Sequence, residues 1–300
     1  MQILHDTNVN FVGARRWFFL MSGILAVLAI GAIAVRGFNW GVDFTGGSLV
    51  QVRFSQPVAT EAVRGALASV GEGGAEVQRD DRGDFFIRVK AKEFSGGESF
   101  SSTLTHQFQT SFPGNSFEIL SDDTVGPQVS KELRGKVLLA VLLGLVGIMI
   151  YVSFRFDFRF GTGAVVSLIH DTLMVVGAIA LLGREMNMTV IAAVLTVIGY
   201  SVNDSIVVSD RIREDIRKMR KESFSFVVNH AINKTLSRTI ITSLTVLFVS
   251  LALLVFGSAT IKDFVFAMTL GTITGTYSSV FVVANLVVEW ENKYPSKRRR

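Results

Sequence analysis

Cysteine is absent from the 300 residues, so no disulfide framework, thiolate metal site or cysteine nucleophile is available. There is no P-loop, no glycine-rich dinucleotide fingerprint and no His-Glu-x-x-His, which leaves nucleotide hydrolysis and redox chemistry without a home and implies no cofactor. Charge is scarce as well. Only 18% of residues are Asp, Glu, Lys or Arg against 49% hydrophobic, a balance that would leave a soluble protein under-solvated. The four prolines, Pro57, Pro113, Pro127 and Pro295, all fall outside the long apolar runs, so no proline-broken helix of the kind that builds many transporter sites is marked. No tandem repeat is visible.

What the chain does have is six apolar stretches, each near the ~20 residues needed to cross a bilayer. They run from about Trp17 to Val35, Val137 to Phe154, Gly161 to Leu182, Met188 to Val208, Ile240 to Phe256 and Phe264 to Val288. The first has a rival reading as a cleaved signal peptide ending near Ala32-Ile33-Ala34, but it exceeds the usual signal core and is read as an anchor. Net charge is +5, yet the basic residues collect between and after spans, as topology signals do, and no nucleic-acid partner is expected. Arg15, Arg16, Arg155, Arg159, the run from Arg211 to Arg238 and Lys297 to Arg300 all fall on one side of an alternating topology. The positive-inside rule places that side, with both termini, in the cytoplasm.

The expected organisation is a cytoplasmic N-terminus (1–16), a first span (17–35), an extracytoplasmic domain (36–136), spans two to six (137–288) with a basic cytoplasmic linker at 209–239, and a basic tail (289–300). The linker mixes apolar residues with its charges and could form amphipathic helices on a membrane surface of anionic lipid. In the outer domain, Ser48 to Phe54 alternates like a strand and Thr60 to Val70 reads as a helix with a Thr cap. Ala75 to Gln78 and Asp84 to Val89 flank the turn Asp80-Asp81-Arg82-Gly83, a second helix spans about Ser99 to Phe112, and a last strand lies near Ser116 to Leu120. The order βαββαβ is that of an α+β ferredoxin-like domain.

Candidate functional residues lie inside the spans, where a carboxylate costs about 2.5 to 3.5 kcal/mol on insertion scales and is retained for use. Asp204 sits about four residues inside the end of the fourth span, with Arg238 at similar depth at the start of the fifth. The two read either as a static ion pair or as a site that binds and releases a proton when the partners separate. His170 and Asp171, near the middle of the third span, read either as an extension of a proton path or as a hydrogen-bonded pair holding helices together. Asp43, Gly46 and Gly47 read first as a tight turn where the chain enters a sheet. Gly271 and Gly275, spaced Gly-x-x-x-Gly, read as a close helix-packing face, with neighbouring hydroxyls that either bond across helices or line a wet path.

Several of these segments together resemble the SecF family. They are Gly41-Val42-Asp43-Phe44-Thr45-Gly46-Gly47, Val125-Gly126-Pro127-Gln128 with Lys131-Glu132-Leu133, His170-Asp171, Ile198 to Asp204 continuing through Asp210-Arg211-Ile212-Arg213-Glu214, Ser237-Arg238-Thr239 with Thr242-Ser243, and Gly271 with Gly275 to Ser279. The resemblance implies a non-enzymatic subunit in the bacterial inner membrane, similar to one half of a resistance-nodulation-division transporter. It implies partnership with SecD, the SecYEG channel, YajC and a preprotein, and proton-driven work at Asp204 and Arg238. Two other readings stand beside it: a proton-driven exporter half for small molecules or lipids, which needs a lined cavity, and an intramembrane aspartyl protease using Asp171 and Asp204, which needs the two carboxyls to share a proton.

Overall fold

The computed structural model describes residues 7–80, 82–90, 99–156 and 158–295. Asp81 of the expected turn and the basic tail from Lys297 to Arg300 lie outside the described residues. In chain order the elements are α1 (Arg15–Arg36), α2 (Val42–Thr45), β1 (Gly47–Phe54), α3 (Thr60–Ser69), β2 (Glu76–Arg79), β3 (Phe85–Lys90), α4 (Phe100–Ser111) and β4 (Phe117–Val125). Beyond them come α5 (Pro127–Arg155), α6 (Phe158–Leu182), α7 (Met188–Lys218), α8 (Phe224–Phe256), α9 (Lys262–Ser278), a π-turn (Ser279–Val283) and α10 (Ala284–Lys293). Two-residue strands at Asn39–Trp40 and Glu185–Met186 and a short 3-10 turn are the remaining elements. The chain forms two compact units, Trp40–Leu138 on one hand and Met1–Asn39 with Leu139–Arg300 on the other.

Among the described residues, six helices are long and apolar enough to cross a membrane: α1, α5, α6, α7, α8 and the continuous run from α9 through the π-turn to α10. The protein is a polytopic helical membrane protein. Most of these helices overrun the expected spans. Residues 209–239, expected as a basic linker with separate surface helices, are the prolonged ends of α7 and α8, which are 31 and 33 residues long and meet at a short turn, 219–223. The extension is held by pairs at helical spacing: Arg211 with Glu214 at 3.1 Å, Arg211 with Asp215 at 3.2 Å, and Lys218 with Glu214. The Ser223 hydroxyl accepts from the Phe226 N–H and caps α8. Charge that marks topology therefore also propagates helix.

In the Trp40–Leu138 unit the element order from β1 is βαββαβ, and the sheet order is β2-β3-β1-β4 with every neighbour antiparallel. Period-two alternation turns Val50 and Val52 of β1 and Phe85, Ile87 and Val89 of β3 to one face. Period-3.6 spacing brings Val63, Ala66 and Leu67 of α3 and Phe100, Leu104 and Phe108 of α4 onto them. A register shift opposite Gln51 and Val52 leaves Leu120 of β4 without a partner residue, and β4 runs on to Val125, past its expected end. Thr60 is not the cap expected of it. It is the first residue of α3, the cap position is Ala59, and no side chain caps this helix.

Among the described residues of this unit, one charged side chain is buried. Asp84 is 1% exposed and accepts from Gln51 Nε2 at 2.9 Å and from Arg53 Nε and Nη2 at 2.7 and 2.8 Å. Those Arg53 bonds hold its carboxyl below the usual carboxylate range, against the opposing effect of burial and with help from Gln51. A folded-state value below the unfolded one means stability that is complete above about pH 4, the ordinary Asp value, and lost as pH falls through the lower folded value. Asp84→Ala is expected to destabilise this unit by about 1–3 kcal/mol by removing the buried acceptor that Gln51 and Arg53 bond, and to remove that acid dependence. Urea-dependent proteolysis within Trp40–Leu138 of the full chain, at neutral and acid pH, measures both effects.

Candidate functional site

The polar interior begins with α7, where helical spacing puts Ser201, Asp204, Ser205, Ser209 and, further along, Asp215 among buried residues that are otherwise Val, Ile and Ala. Asp204 is 3% exposed, and its Oδ2 has no hydrogen-bond partner among the described residues. Arg238 is exposed and lies near the middle of α8. The direct ion pair that the sequence suggested is not formed among the described residues. Asp204 is buried within the bundle while Arg238 is exposed, and no ion pair joins them.

Asp171 is the opposite case. It is wholly buried, its Oδ1 lies 3.1 Å from His170 Nδ1, and its Oδ2 accepts from Ser201 and Ser278 at 2.6 Å each. Ser167 donates to Ser278 Oγ at 2.8 Å, so the cluster ties α6, α7 and the last residue of α9. His170 Nε2 is buried without a partner among the described residues, and the ring lies 6.0 Å from that of Tyr277, whose hydroxyl bonds Ser22 and the Phe18 carbonyl of α1. A second hydroxyl chain runs from Tyr200 to Ser243 at 2.9 Å and on to Thr276 at 2.6 Å. Among the hydroxyls that the sequence left open, Thr276 and Ser278 therefore bond across helices. Ser167 and Ser201 were missed. Ser201 stands one turn before Asp204, and that spacing was the available signal.

Gly271 and Gly275 are where α9 rests on α7. A Cβ at Gly271 would overlap Val197, and one at Gly275 would stand 3.1 Å from Ser201 Cβ. In the other unit, Gly46 and Gly47 have φ of 74° and 130°, values that favour glycine, and make the turn from α2 into β1. Asp43 lies in the first turn of α2, whose cap position is Gly41, and the Phe44 carbonyl is bonded by the Arg134 guanidinium. No group of acidic and histidine side chains fit to hold a metal occurs among the described residues.

Two features lie outside the motifs. Asp215, fully buried, accepts from His230 at 2.9 Å and from Arg211, joining the prolonged ends of α7 and α8. An apolar cavity of about 390 Å³ opens between α8 and α9, lined by residues that include Val246, Val249, Leu253, Phe264 and Met268.

Six membrane helices that enclose carboxylates and hydroxyls, together with a separate βαββαβ unit, define a membrane protein that manages charge inside the apolar layer. Comparison with known proteins narrows this class. Residues 104–293 match the family described as "Protein export membrane protein SecD/SecF, C-terminal", and residues 31–58, which hold Gly46 and Gly47, match the SecD/SecF GG motif. The chain is 38% identical over 288 residues to the protein translocase subunit SecF of Calditerrivibrio nitroreducens, covering 95% of each. It is 41% identical over 295 residues to the protein translocase subunit SecDF of Thermus thermophilus, spanning 97% of this chain but 40% of that one. The crystal structure of the translocon-associated SecDF of Thermus superposes with a TM-score of 0.85 at 39% identity, over 96% of this chain and 39% of that one. The chain belongs to the SecD/SecF family of protein-export membrane proteins.

Gly271→Ala is expected to cost about 1–3 kcal/mol by overpacking the α7–α9 contact. Its melting temperature in detergent should fall below that of Gly144→Ala, where a Cβ meets nothing within 4 Å.

Proposed function

We propose that this chain, an auxiliary and non-enzymatic subunit of the Sec protein-export translocase, works with SecD to couple the proton motive force to preprotein translocation and release. In this reading it lies in the bacterial inner membrane with both termini in the cytoplasm, where the basic residues collect, and the Trp40–Leu138 unit is periplasmic. SecYEG and the preprotein are the partners that the role requires, with YajC as an accessory.

The observation that carries the proton-driven part is Asp204, buried with one oxygen unpartnered and with no ion pair to Arg238 among the described residues. Such a carboxylate has room for a proton, which would cancel the cost of a charge in the apolar layer. Closing the gap to Arg238 would favour the ionised form and expel the proton, and opening it would favour uptake. Rearrangement of α7 against α8 is thereby linked to proton passage.

The alternatives gain little. A protease dyad needs two carboxyls sharing a proton, whereas Asp171 spends its oxygens on His170, Ser201 and Ser278 and makes no bond to Asp204. The cavity between α8 and α9 supplies the lining that an exporter reading lacked, but it holds none of the candidate residues.

Membrane vesicles carrying Asp204→Asn at matched levels of assembled SecD complex are expected to lose proton-motive-force-dependent release of a secretory precursor while insertion and assembly persist. Unchanged release would reduce Asp204 to a structural residue.

A further inference from the structure

Two carboxylates lie in neighbouring membrane helices in opposite circumstances. Asp171 has both oxygens engaged, by His170 on one and by the Ser201 and Ser278 hydroxyls on the other, and is 0% exposed. The hydroxyl bonds converge on it: Ser167 donates to Ser278, Ser278 donates to Asp171, and Ser201 donates to Asp171 from the other side. Both oxygens of Asp171 are therefore committed to neighbours on its own helix, α7 and α9. Asp204, by contrast, keeps Oδ2 unpartnered among the described residues.

We propose that Asp171 is a positioning residue: an acceptor hub that fixes the rotation of α7 through Ser201 and thereby aims Asp204. Ser201 and Asp204 are three residues apart, so they lie about 60° apart around the axis and about 4.5 Å along it. A rotation of α7 that releases Ser201 swings Asp204 by the same angle. The site is built for close control of that angle. Gly275 lets the backbone of α9 approach Ser201 directly, Gly271 does the same at Val197 one turn away, and Ser278, the second donor to the hub, ends α9 at the start of the π-turn. Helical π-turns recur at functional sites, where the extra residue resets the phase of the helix beyond it. The hub therefore locks α6, α7 and α9 at one level. It removes Asp171 from the proton path that the sequence offered it and gives it the task of holding the group that carries the proton.

The hub's purpose rests on Asp204 being the proton site, and one experiment separates the two. In assembled SecD complexes, proton-driven precursor release is measured beside the infrared carbonyl band that appears on protonation and is lost in Asp204→Asn. Asp171→Ala, which deletes the acceptor, is expected to lower release about tenfold or more, as misplacement of a working group does, and to shift the Asp204 band. Asp171→Asn keeps an acceptor oxygen but cannot carry a carboxyl proton, and should hold release within about twofold with the band in place. Ser201→Ala, which cuts only the α7 limb, is expected to shift the same band and reports on the hub even if Asp171→Ala fails to assemble. Loss of release in Asp171→Asn as deep as in Asp171→Ala would make Asp171 a carrier and overturn the proposal, as would an unshifted band in Ser201→Ala. Absence of any band dependent on Asp204 in the wild type would bring down the proton-site reading itself, and the hub's purpose with it.

Discussion

Hydrocarbon offers a polar side chain no solvent, so each buried donor or acceptor must find its partner within the bundle or remain exposed to a cost of several kcal/mol. Much of the polar interior of α6 to α9 obeys that constraint. Tyr200, Ser243 and Thr276 form one hydroxyl chain, and Ser167, Ser278, Ser201 and Asp171 form another. His170 Nε2, Thr172 Oγ1, Thr239 Oγ1 and Asp215 Oδ1 are also buried without a hydrogen bond among the described residues, but Asp215 Oδ1 has Arg211 at 3.2 Å, whereas Asp204 Oδ2 is a carboxylate oxygen with neither a hydrogen bond nor an ion pair among them. The contrast between the bonded Asp171 and Asp204 is what the proposed proton site rests on.

The same logic governs the Trp40–Leu138 unit, with water nearby. Asp84 is buried but fully bonded, and one of its partners, Arg53, is about half exposed. It therefore reads as a structural clasp of the sheet. Small residues do comparable work through absence. Gly271 and Gly275 let α9 approach α7, and Gly177 lets α6 approach Ala29 of α1, where a Cβ would overlap its neighbour. Close backbone approach is a recurrent basis of helix association in lipid, where burial of apolar surface gives no net drive.

Much of this was legible in the sequence. Six apolar runs marked the membrane helices, and alternation at Val50 and Val52 with 3.6-residue spacing at Leu104 and Phe108 was enough for the βαββαβ order. Helix ends were less legible. A run such as Asp210 to Lys218 is charged enough to read as a linker, and only its i,i+3 and i,i+4 pairing reveals a continuing helix. Asp204 was conspicuous because a lone carboxylate in an apolar run is rare, whereas Ser201 and Ser278 were not, because a serine in a membrane helix is common and its partner lies on another helix. Whether Asp204 and Arg238 touch depended on side-chain direction, which depth along the sequence does not fix.

Everything proposed for the bundle turns on Asp204 exchanging a proton inside the membrane. Proteoliposomes holding the chain assembled with SecD, loaded with an internal pH dye and given an imposed proton gradient, test this directly. If Asp204 carries the proton, wild type acidifies the lumen above the level of empty vesicles, and Asp204→Asn at equal protein content does not rise above that background. Equal acidification by both proteins would remove Asp204 from the proton's route.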